Sequence, residues 1–221
     1  MPELKLDLLA MDFYDGHAVL NHIFVHLFIV KGASDAEVQL VRDSVLMARK
    51  ILKKYNFGLS VMPPGGWDDK EQIGTFSFSG PLYIDTRDAF GRNSQSQQGA
   101  VQARREVEPK ITWKDNKIKP AVVLFGRSTS TTTRGITNES DQYPWFCTVN
   151  LAQAAKTTML HEVGHCANLQ HYMANRDLAD PATADAKNIM AEVKDEKADF
   201  RDNLTQQEIN LFKQSYFYYL I

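Results

Sequence analysis

Cysteine is scarce in this sequence, with only Cys147 and Cys166 among 221 residues. A fold stapled by a framework of disulfides is therefore excluded. A helix over about 151–167 is predicted, with Asn150 as its N-cap. At about 1.5 Å per residue it would carry Cys166 about 24 Å from its start, while a disulfide needs Cα atoms within about 7 Å. Two free, buried thiols are the expectation. Long apolar runs are missing too. The longest, Ile23 to Val30, contains His26 and falls far short of the ~20 residues that span a bilayer. An excess of one charge is also absent. A formal charge of −2 argues against nucleic acid or an anionic membrane as the main partner. Met1-Pro2-Glu3 opens without the basic and apolar regions of a secretory signal. That fits an intracellular chain, a mature form or export by another route.

What is present is an ordinary globular composition, 43% apolar, long enough for one sizeable core and read as one domain over 1–221. Asp15-Gly16 marks a turn, and His22 to Val30 reads as a strand. Ser34 and Glu37 form a capping box ahead of Val38, Val41, Val45, Leu52 and Tyr55 at helical spacing, and Asn56-Phe57-Gly58 ends that helix. Leu59 to Met62 is a short strand stopped by Pro63-Pro64-Gly65-Gly66, so strand–helix–strand predicts a parallel pair with a right-handed crossover. Gly74 to Ile84 reads as a strand or hairpin. Residues 92–104, rich in Gln, Ser and Gly, read as an exposed loop. Ile111-Thr112-Trp113 and the following Lys114 to Lys117 read as strand and turn. Ala121 to Phe125 reads as a central strand, Arg134 to Thr137 as an edge strand and Trp145 to Val149 as another strand. Thr205 and Glu208 form a second capping box, with Leu204 stapled to Ile209.

The most informative run is His161-Glu162-Val163-Gly164-His165-Cys166-Ala167-Asn168-Leu169-Gln170-His171. His161 and His165 stand one helical turn apart on the same face, where both imidazoles can reach one zinc ion at about 2.0–2.1 Å. Glu162 is turned about 100° from His161, beside the metal, where a carboxylate can take a proton from water activated by the ion. His171 supplies a third nitrogen if the helix stops soon after His165 and the chain turns back. Gly164 costs about 1 kcal/mol inside a helix relative to Ala, which makes sense where something must approach closely. Asn168 stands where the chain must leave the helix, and Asn tolerates the left-handed conformation. Cys166 points away from the histidine face. His22 and His26 share one strand face, with His17 upstream, and read as structural histidines. Glu192 to Asp199 reads as a solvated face, and Tyr216 to Tyr219 as an aromatic tail packing the last helix.

His161, Glu162, His165 and His171 resemble the H-E-x-x-H-x-x-G-x-x-H motif of the metzincin clan of zinc metallopeptidases, with Asn168 where the clan has Gly. Met190, nineteen residues after His171, is similar to the clan's Met-turn methionine. The resemblance implies an α+β fold, with a mixed, mostly parallel five-stranded sheet, a backing helix and an active-site helix. The upper subdomain would span about 1–168, and a smaller irregular lower subdomain, about 169–221, would end in a helix. It implies Zn²⁺ on His161, His165 and His171, and Glu162 as the catalytic base hydrolysing peptide bonds, most simply as an endopeptidase. The partner would be a protein or peptide substrate extended along the Arg134–Thr137 edge, and the enzyme a monomer. Where some members carry a tyrosine after the methionine, this chain has Glu192, and Tyr172 follows the third histidine, so no subfamily is assigned. No cysteine precedes Cys147, so a cysteine-switch propeptide is absent from the sequence.

Two other readings compete. In a gluzincin-like site Glu192 would replace His171 as third ligand. In a zinc-stabilised binding or effector protein the activity would be lost, and Glu162 would then have no task.

Overall fold

The longest strand, β1 (Asn21–Val30), is apolar along nearly its whole length because both of its faces are buried. The computed structural model describes residues 21–62, 73–87, 93–111, 119–138, 146–171, 187–191 and 201–220. After β1 comes α1 (Asp35–Lys53), opened by the expected capping box between Ser34 and Glu37. Its buried stripe includes Val38, Val41, Val45 and Leu52. Asn56, at φ 60°, breaks the helix in the left-handed conformation. Strand β2 (Phe57–Val61) then pairs parallel with β1.

The chain continues through β3 (Gly74–Phe76), β4 (Ile84–Arg87), β5 (Asn93–Ser96), α2 (Gln98–Val107) and β6 (Ala121–Gly126). Next come β7 (Gly135–Asn138), β8 (Phe146–Asn150), α3 (Thr158–Cys166), α4 (Gln206–Gln214) and β9 (Tyr218–Leu220). The main sheet runs β2-β1-β6-β8-β7, with only β7 antiparallel along that path. This path is the expected mixed five-stranded plan, but among the described residues the sheet has seven strands. The reason is the length of β1. Beside Ile23 it has β2 on one flank and β9 on the other, and beside Phe28 it has β3 and β6. Strands β4 and β5 form a separate antiparallel pair. No helix among the described residues is long and apolar enough to cross a membrane.

Two local expectations are overturned. Residues 92–104 are not an exposed loop: they contain β5 and most of α2, whose Ala100, Ala103 and Val107 are buried. Asn150 does not cap a helix starting at 151. It is the last residue of β8, its N–H donates to Arg134 O at 2.7 Å, and it pairs with Gly126 of β6. The sheet therefore holds Asn150 extended, and seven residues separate the end of β8 from the start of α3.

That shift also overturns the distance argument for the cysteines. Both are buried and free, yet the Cys147 and Cys166 thiols are hydrogen-bond neighbours between β8 and α3, and burial with this pairing pushes the Cys147 thiol up. The last helix is opened by its expected box of Thr205 and Glu208. The aromatic tail does pack inward at Phe217, and its next residues add β9 to the sheet. His22 and His26 lie buried on one face of β1, away from the histidine cluster described next. His17, Asp15-Gly16, Pro63 to Gly66, Lys114 to Lys117, Tyr172 and Glu192 to Asp199 lie outside the described residues.

Candidate metal centre

Helix α3 packs against β8, β7 and β6, so the sheet buries its apolar residues Met159, Leu160 and Val163 along with His161 and Glu162. The helix ends where Asn168 takes φ 63°. Leu169 N then donates to Gly164 O at 3.1 Å and Asn168 N to His165 O at 2.9 Å, the two bonds of a Schellman motif. The reversal brings His171 back to the helix. The expected role of Asn168 as the turn residue is met in full.

The Nε2 atom of His165 lies 3.2 Å from that of His161 and 3.1 Å from that of His171. A tetrahedral ion with metal–nitrogen bonds of about 2.0–2.1 Å sets its ligand atoms about 3.3 Å apart. Hydrogen bonds fix which nitrogens face inward. His161 Nδ1 is 2.7 Å from Ile189 O, and His165 Nδ1 is 2.8 Å from Leu169 O. A carbonyl oxygen only accepts, so both Nδ1 atoms carry the proton and both Nε2 atoms are bare. Two bare lone pairs 3.2 Å apart repel unless a cation lies between them, so the donor set fits a metal ion. Burial holds His161 well below, and His165 below, the usual imidazole range, which keeps both in the neutral form a metal requires. These three histidines form a group that can hold a metal ion. Glu192, the competing third ligand, lies outside the described residues, whereas His171 is in the cluster.

Glu162 lies between α3 and β7. Thr137 Oγ1 is 2.8 Å from its Oε2 and 3.0 Å from its backbone O. On the other side is Gly135: a Cβ there would meet Glu162 Cγ at 2.6 Å and Oε1 at 2.7 Å. Burial pushes the Glu162 carboxyl up to about 7, against the Thr137 hydrogen bond and the Arg201 charge, which pull it down. Among the described residues strand β7 pairs with β8 alone, so within them its other side is the edge of the sheet. The segment leading into β7 is anchored by Asn150, whose Nδ2 donates to Thr133 O at 3.0 Å, and by Tyr83, whose hydroxyl donates to the same oxygen at 3.1 Å.

Below the histidines, Met190 is fully buried. A Cβ on Gly164 would stand 2.5 Å from Met190 Sδ, so the glycine is what lets the methionine reach the helix. Three supports of this turn had no signal in the motif. Asn188 Oδ1 accepts from Met190 N at 2.6 Å, and Asn188 Nδ2 donates to Glu208 Oε2 at 2.9 Å. Glu208 thus caps α4 and braces the turn together. Arg201, 4% exposed, donates to the carbonyls on both sides of Met190. For Arg201 the only hint in the sequence was an arginine in a polar stretch.

No protein-family model and no curated protein matches the sequence. Among solved structures, the chain is similar to the crystal structure of metalloproteinase-II from Bacteroides fragilis, at a TM-score of 0.51 and 12% identity. The match covers 89% of this chain and 53% of that one, so the chain spans about half the length of the structure it matches. At this identity the likeness concerns the fold. It is an α+β plan with a mixed sheet, shared with a metalloproteinase, on which this chain carries a three-histidine cluster.

Proposed function

We propose that the protein is a zinc-dependent peptidase of metzincin type, with His161, His165 and His171 as metal ligands and Glu162 as general base. The observation that carries this reading is the convergence of the His161 and His171 Nε2 atoms on that of His165, all three within 4.8 Å of one another, beside a buried carboxylate. The choice of zinc follows from an all-nitrogen set of three, which leaves one position of a tetrahedral ion for water. When bound, the ion would polarise a carbonyl oxygen and make water acidic near neutral pH.

The chain's own residues supply the rest. The Nδ1 bonds to Ile189 O and Leu169 O keep two imidazoles oriented and neutral. Glu162, with a carboxyl pushed up to about 7, is matched to taking a proton from water and returning it to the leaving amine at neutral pH. Thr137 and Gly135 hold that carboxylate against the sheet edge. A peptide extended along β7 would gain main-chain hydrogen bonds and bring a carbonyl to Glu162. We take the substrate to be a protein or peptide, cleaved internally.

The decisive experiment measures zinc content and cleavage of a peptide library for the wild type, Glu162→Gln and His171→Ala. Zinc is expected in the wild type and Glu162→Gln, with hydrolysis abolished in the latter, and weakened zinc in His171→Ala. Full activity in Glu162→Gln would defeat the mechanism. An unchanged zinc content in His171→Ala would remove the third ligand.

A further inference from the structure

Arg201 joins three segments that are far apart in the sequence. Its Nη2 donates to Thr157 Oγ1 at 3.1 Å, just before α3 begins. Its Nη1 donates to Ile189 O at 3.1 Å and Ala191 O at 2.9 Å, so the turn carrying Met190 curls around one guanidinium nitrogen. The same Nη1 lies 3.1 Å from His161 Nδ1. That contact is not a hydrogen bond, because the Nδ1 proton already points at Ile189 O, 2.7 Å away. Ile189 O therefore takes two donors, one from His161 and one from Arg201, which satisfies both of its lone pairs.

We propose that Arg201 is the positioning residue for His161: by fixing Ile189 O it determines which imidazole nitrogen is protonated and so aims Nε2 at the metal. This rests on the metal-site reading above. A buried guanidinium is costly unless all its donors find acceptors, and here one planar fork meets two carbonyls and a hydroxyl. A lysine, with a single compact ammonium, cannot span those three acceptors in that geometry. Residues of this kind behind a metal-ligating histidine typically change metal affinity by about 10–100-fold when replaced.

The test is zinc affinity, measured by chelator competition on the full chain, for wild type, Arg201→Lys, Arg201→Met, Thr157→Val and Tyr55→Phe. Tyr55 accepts from Leu204 N at 2.7 Å, so its variant loosens the same loop without touching the guanidinium. Both Arg201 variants should lose about 10–100-fold in zinc affinity, Thr157→Val should lose less in the same direction, and Tyr55→Phe should match the wild type. In parallel, the ring ¹⁵N shifts of His161 in metal-free protein should report the Nδ1–H form in the wild type and a mixture of forms in Arg201→Lys. If Arg201→Met fails to fold, Arg201→Lys and Thr157→Val decide. Unchanged zinc binding in both Arg201 variants, or tighter binding in Arg201→Met as removal of a nearby positive charge alone would produce, overturns the proposal. Wild-type protein that binds no zinc would instead bring down the metal-site reading itself.

Discussion

Gly135 and Glu162 are fitted to each other across the gap between β7 and α3: a methyl group on the glycine would lie 2.6 Å from the glutamate's Cγ and 2.7 Å from its Oε1. Gly135→Ala should therefore push the carboxylate off its position while leaving the histidines in place. Misplacing a catalytic group by about 1 Å can cost about 100-fold in rate. The expected result is zinc content equal to wild type with kcat reduced about 10–100-fold. An unchanged kcat would show that the glycine has no bearing on Glu162.

Thr137→Val should act through protonation. The Thr137 hydrogen bond pulls the Glu162 carboxyl down against its burial. Removing the hydroxyl leaves burial less opposed, so the carboxyl titrates at higher pH. A general base works only when ionised, so the acid limb of kcat/KM should move to higher pH, with the largest loss of activity on the acidic side. Profiles that superimpose after scaling would contradict this.

Asn168 separates backbone demand from side-chain chemistry. At φ 63°, a β-branched residue meets the left-handed penalty, which is about 1–2 kcal/mol for an ordinary L-residue. Asn168→Gly should keep stability within about 0.5 kcal/mol, whereas Asn168→Val should lose at least the left-handed penalty and, by displacing His171, weaken zinc binding. Urea denaturation and zinc titration of the two variants would check both. Equal stability would mean that the Schellman turn is not what delivers the third histidine.

The pH dependence of stability has a separate contributor in Glu37. Burial raises its carboxyl, but bonds from Ser34 and Arg127 outweigh that and hold it below its ordinary 4.5. With the folded value depressed, Glu37 contributes stability above the unfolded value of about 4.3–4.5 and loses it as pH falls through the folded value. Glu37→Gln should thus lower the urea midpoint at pH 7 and make little difference at pH 3. A deficit of equal size at both pH values would point to packing rather than charge.

Much of the site was legible because each of its signals is local. His161 and His165 need only helical spacing, Asn168 only a left-handed φ, and Gly164 only a close neighbour, which proves to be Met190. The capping boxes at Ser34 and Thr205 were readable for the same reason. What escaped depends on tertiary pairing. Helix α2 buries the small residues Ala100 and Ala103 beside Val107, too weak a stripe to stand out among Gln, Ser and Gly. The start of α3 lies seven residues beyond the position its sequence suggests, because Asn150 is held by β6 and Arg134, partners distant in sequence. Arg201 carried no local pattern, since its acceptors come from 157, 189 and 191.

The pairing of β9 with the start of β1 also has a consequence for how the molecule comes into being. Ile23 sits opposite Tyr218, Phe24 N donates to Phe217 O, and the Tyr218 hydroxyl donates to Asn21. Asn21 and Tyr218 stand 197 residues apart in the sequence, and contacts of such long separation form slowly. Met190, Arg201 and Glu208, which brace the histidines from below, likewise follow α3 in the sequence. Until those residues dock, the three histidines would stand on an unbraced helix, so the cluster should assemble only after the segments around 190 and 201–208 have packed beneath it.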